Sequence, residues 1–100
     1  MTDSAMPETR TSLIMREKLH ARLRPVSLEI RDDSHLHAGH AGAREGGHYA
    51  VTVVAAAFEG LSTLARHRLV YDILKEELKV TIHALELTTL APSEWPGAGG

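Results

Sequence analysis

The chain has 100 residues, 43% of them hydrophobic, with a net charge of −2 and no cysteine. That length allows one small domain with a thin core, and the slightly acidic balance argues against a general nucleic-acid binder, which would be strongly basic. Without cysteine there are no disulfides, no thiol catalysis and no self-sufficient cysteine-ligated cluster or zinc finger, so any metal chemistry has to run through the seven histidines.

Residues 1–12 read as a flexible lead-in, too polar for a secretory signal, and no apolar run in the chain is long enough to cross a bilayer. Ser12 is placed as the cap of a first helix, in which Met15, Leu19 and Leu23 recur at i, i+4 and i+8 and which Pro25 stops. Val26, Leu28 and Ile30 then alternate with Ser27, Glu29 and Arg31, the pattern of a half-buried strand. The sixteen residues from Asp32 to Gly47 contain four glycines and three histidines and show no periodicity. A loop that long in so small a domain is usually functional or disordered.

His48 to Ala55 is β-branched and predicts a second strand, antiparallel to the first. Gly60 turns the chain and Ser62 caps a helical stretch over residues 63–79, with Leu69, Val70, Ile73, Leu74 and Leu78 on one face. That stretch is expected to divide into a short first turn and a longer helix. Thr81 to Thr89 predicts a third strand, parallel to the second because a helical crossover joins them. Residues 91–100 read as a Pro/Gly tail, mobile after Trp95. The expected fold class is α+β, in the order α-β-β-α-α-β, with helices packed against a three-stranded mixed sheet and a single domain over residues 13–90.

Three features stand out chemically. His83 sits inside the apolar V-T-I-H-A-L (Val80 to Leu85), where strict alternation puts it on one face with Leu85 and Leu87. Two readings stay open for it: a hydrogen-bonded structural histidine, or a ligand. His35, His37 and His40 bring three imidazoles to the glycine-rich loop, although their spacing is not by itself a zinc signature. Arg66, His67 and Arg68 form a basic triplet on the long helix, either a solvated face or a contact for phosphate or a partner's carboxylate, and at most two of the three can face the same way. His48 is read as opening the second strand in a structural role. Gly39 to Gly42 fits the G-x-x-G clamp of KH domains, yet falls between strands where the KH loop joins helices. Asp32 and Asp33 read as a solvated turn. With no nucleophile–base pair and no phosphate-cradling glycine pattern, neither an enzyme nor a small-molecule substrate is expected.

The segments F-E-G-L-S-T-L-A-R-H-R-L-V (Phe58 to Val70), V-T-I-H-A-L, and L-E-I-R-D-D-S-H-L-H-A-G-H from Leu28 occur in an order and spacing that resemble the BolA family of small iron–sulfur and regulatory adaptor proteins. The resemblance covers roughly residues 13 to 95. It implies a fold similar to the type II KH arrangement. It also implies that His83 is a ligand to a [2Fe–2S] cluster shared with a monothiol glutaredoxin and its glutathione. His37 aligns with the family's second ligand position, where members carry His or Cys, and His35 and His40 are weak or alternative ligands. Imidazoles in place of thiolates lower the negative charge of such a site and raise its potential. A thiol-free chain can join a cluster only as a co-ligand, so none is expected on the isolated chain. The implied role is iron–sulfur trafficking or iron-responsive regulation in the cytosol. The family's basic segment is linked to duplex DNA, so the alternative is a KH-like transcriptional regulator contacting DNA through Arg66, His67 and Arg68. A third reading is a stand-alone metal carrier built on the loop histidines.

Overall fold

The computed structural model describes residues 9–33 and 47–96. Its first helix, α1 (Arg10–Leu23), begins earlier than Ser12. Thr9 is the cap, its Oγ1 accepting from the Ser12 amide at 3.1 Å, and its hydroxyl also lies 3.2 Å from the Tyr49 hydroxyl. Ser12 is instead buried on the same stripe as Met15, Leu19 and Leu23. Arg24 closes the helix in the left-handed region (φ 46°), donating its N–H to the His20 carbonyl at 3.1 Å. Its neighbour Pro25 disfavours the α conformation there.

Alternation then builds the sheet. In β1 (Ser27–Asp32) and β2 (Gly47–Val54) the two strands run antiparallel, and β3 (Ile82–Leu90) lies parallel to β2 on its other side. Between β2 and β3 come a 3₁₀ turn (Ala56–Phe58), the helix α2 (Thr63–Ile73) and the short helix α3 (Lys75–Val80). This is the α+β order expected from the sequence: a helical crossover returns the chain in the same direction. Ser62 caps α2 as expected, with Oγ accepting from the Ala65 amide at 3.1 Å. Gly60 turns the chain into it at φ 78°, a conformation that a side chain would strain. The break between α2 and α3 falls at Leu74, so the longer piece comes first, the reverse of the expected division. Leu74 is fully buried. Helical periodicity carries no sign of the break.

All three helices lie against one face of the sheet. Tyr49, Val51 and Val53 of β2 meet Met15 and Leu19 of α1, Phe58, and Val70, Ile73 and Leu74 in one apolar core. Lys18 of α1 reaches Glu77 of α3 at 2.9 Å and ties the helical layer together. The opposite face, carrying His48, Ala50 and Thr52, is half-exposed. A second 3₁₀ turn, Pro92–Glu94, follows β3. The start of the Pro/Gly tail is tied to the fold: Ala91 is fully buried and Glu94 is bonded back to Arg66 of α2.

Candidate functional site

One irregularity in the sheet decides where His83 points. Gly47 pairs with Ile82, but the next residue of β2, His48, pairs with Ala84, so β3 carries one extra residue at His83. Such a bulge breaks alternation and re-aims a side chain. Ile82 stays in the core at 4% exposure, and Leu85 and Leu87 pack against that core. His83 is exposed on the other face. Strict alternation had placed it with Leu85 and Leu87, and the bulge overturns that.

The released imidazole lands beside His48. Their ring centres are 5.2 Å apart with planes at 47°. His48 is held there by backbone. Its carbonyl accepts from the Asp33 amide at 2.7 Å, and the Gly47 amide donates to the Thr81 carbonyl at 2.8 Å. A Cβ at Gly47 would meet the Tyr49 ring folded over it, so a side chain there requires that ring to move. Arg31 grips Asp33 with two parallel bonds, Nε to Oδ1 at 2.8 Å and Nη2 to Oδ2 at 3.0 Å. The end of β1 and the starts of β2 and β3 thus meet at one edge of the molecule. His35, His37 and His40 belong to residues 34–46, outside the described residues. The ends of that segment, Asp33 and Gly47, are both fixed next to His48.

Among the described residues no three histidine, aspartate or glutamate side chains converge to hold a metal ion. Two imidazoles do approach each other. Such a donor pair fills part of a coordination shell and leaves the rest to something else, which suits a shared metal centre better than a self-contained one.

The basic triplet behaves differently. Arg66 is buried at 7% exposure. Its Nε donates to the Leu61 carbonyl at 2.9 Å, its Nη1 to the Thr89 carbonyl at 3.3 Å, and its fork to Glu94 at 2.7 and 3.0 Å. Its guanidinium also lies 5.9 Å from the centre of the Phe58 ring. Glu94 in turn accepts from the Ala91 amide at 2.9 Å, and Ser93 donates to Glu59 at 3.1 Å. The Arg66 hydrogen bonds, helped by the Ala91 amide, hold the Glu94 carboxyl down at about 2. Arg66 therefore has its donors engaged inside the protein and does not form an outward contact with Arg68, correcting that expectation. Arg68 is exposed, and His67 is half-buried with its ring 6.4 Å from Tyr71 in an edge-on arrangement.

Two residues carry more than the sequence indicated. Glu94 looked like part of a tail, and nothing local links it to an arginine 28 positions earlier. His48 looked like an ordinary strand opener. Its neighbour across the sheet follows from the β2–β3 register, which no single segment reveals. No helix of the described residues is long and apolar enough to cross a membrane.

Known proteins share this architecture. Residues 19–94 match the model of the BolA-like protein family. The chain is 46% identical over 99 residues to the chloroplastic protein BOLA1 of Arabidopsis thaliana, covering 95% of this chain but only 61% of that protein. It is 44% identical over 81 residues to the DNA-binding transcriptional regulator BolA of Escherichia coli, covering 81% of this chain and 75% of the relative. The solved BolA domain of SufE1 from Arabidopsis thaliana superposes with a TM-score of 0.79 at 43% identity, covering 89% of this chain and all of that domain. Sequence, strand order and helix placement agree, and the chain belongs to the BolA family.

Proposed function

We propose that this chain is an adaptor that lends the imidazole of His83 to a [2Fe–2S] cluster shared with a monothiol glutaredoxin and its glutathione, in iron–sulfur trafficking or iron-responsive regulation. The supporting observation is the β3 bulge, which turns His83 out of the core where a docked protein can reach it. When bound, the cluster would supply the electron-transfer or cluster-transfer chemistry. The chain's own contribution is a neutral nitrogen donor on a rigid strand, presented beside the anchored ends of the histidine-bearing segment. His37 is the proposed second ligand, with His35 and His40 as alternatives. Imidazole is borderline in softness and suits iron as well as zinc or copper. The work proposed is binding, not turnover of a substrate, and its proposed setting is the cytosol.

Mixing the chain with cluster-loaded monothiol glutaredoxin and following visible circular dichroism tests this. The spectrum is expected to change on addition of the wild-type chain and to stay unaltered with His83→Ala. No change with the wild-type chain, or the same change with the variant, would contradict the reading.

A second reading is favoured by one observation, the description of the Escherichia coli relative as a DNA-binding transcriptional regulator. With Arg66 buried, its contacts would fall to Arg68 and His67. Salt-dependent binding to duplex DNA that weakens in Arg68→Ala would support it.

A further inference from the structure

We infer that His48 and His83 together form a two-nitrogen chelate for one metal ion, independent of the glycine-rich segment. The inference shares His83 with the function proposed above. It depends on that function for a biological use of the site, while the chelation itself needs no partner.

The geometry favours it. Two imidazoles on one tetrahedral metal, with metal–nitrogen distances of about 2.0–2.1 Å, have ring centres about 5 Å apart. The observed separation is 5.2 Å, on rings tilted by 47° rather than stacked. Both side chains stand on the sheet face away from the helices, and His83 is exposed, so an ion can reach the pair. His48 lies between the Asp33 and Gly47 backbone contacts, and His83 is the extra residue of a bulge whose neighbours are in register. Rings already near the spacing of a bound pair lose little freedom on binding. Borderline divalent ions such as zinc, nickel or copper suit this donor set. No third histidine or carboxylate converges on them among the described residues, so the remaining coordination positions stay open for water or for another protein's donors.

Zinc(II) alone, added to the full chain, is the probe. Proton–nitrogen NMR tuned to the histidine rings reports each imidazole separately, and backbone amide spectra check the fold of every variant. The His48 and His83 rings are expected to shift together at one equivalent. Affinity is expected to fall at least tenfold in His83→Ala and in His48→Ala, and equally in His48→Asn, which keeps polarity while removing the ring. His37→Ala is expected to leave the response of both rings intact. Zinc that moves His83 together with His37 and not His48, or that moves neither His48 nor His83, would overturn the chelate. The cluster reading fails separately. If zinc pairs the two rings while the glutaredoxin spectrum never changes, the chelate stands and the shared-cluster function falls. If the spectrum changes through His83 and zinc leaves His48 untouched, the chelate falls and that function stands.

Discussion

The two ends of β3 use their polar side chains in opposite ways. At its C-terminal end, Arg66, Glu94, Glu59 and Ser93 bond to one another and to backbone carbonyls, around a fully buried Phe58. At its N-terminal end, a bulge turns His83 outward beside His48, where no described residue completes a coordination shell. Both ends carry basic or imidazole groups that attract attention in the sequence. Only burial and register separate the end that closes on itself from the end that leaves its histidine exposed. Residue type alone is a poor guide to which is which, because a buried arginine with a bidentate carboxylate is a structural element.

The largest effect expected is at the closed end. Phe58→Ala should cost about 3–5 kcal/mol of stability by leaving a cavity under α2, measured by chemical denaturation. For a domain this small that approaches its whole stability, so the variant should be partly unfolded at ambient temperature.

Glu94→Gln comes next and carries a pH signature. Because the folded carboxyl titrates at about 2, below its ordinary value of 4.5, it stabilises the protein above the ordinary carboxylate range. That contribution is lost as pH falls from about 4.5 towards about 2. Wild-type stability should drop across that window, and the Gln variant should be less stable at neutral pH and show a flatter acid limb. An acid limb identical in both proteins would mean that the Arg66–Glu94 bond does not hold that end.

How much of this contrast could be read from the sequence depends on the range over which each feature is written. The helices and strands were legible because their signals are local: the stripe of Met15, Leu19 and Leu23, the alternation of Val26 to Arg31, and the cap at Ser62. The fold class followed. The reach of Arg66 to Glu94 was not legible, since it spans 28 residues and ends in a segment that looks like a tail. The direction of His83 was read wrongly from alternation, because a bulge adds one residue without altering composition. The proximity of His48 to His83 requires the register of two strands separated by two helices.

At the open end, Gly47→Ala should cost about 1–3 kcal/mol, because the added methyl must displace the Tyr49 ring. It should also disturb the His48 ring signals, joining stability to site geometry in one variant. The smallest effect expected on folding is at the site itself. His83→Ala removes an exposed ring and should change stability by no more than about 0.5 kcal/mol, as judged from its denaturation midpoint. A larger loss would mean that His83 is structural after all.

The most direct test sets one variant from each end against the same partner. Visible circular dichroism of a cluster-loaded monothiol glutaredoxin is expected to change on addition of the wild-type chain and equally on addition of Glu94→Gln at neutral pH, and not to change with His83→Ala. A full spectral change with His83→Ala would show that the exposed end of β3 does not serve the cluster.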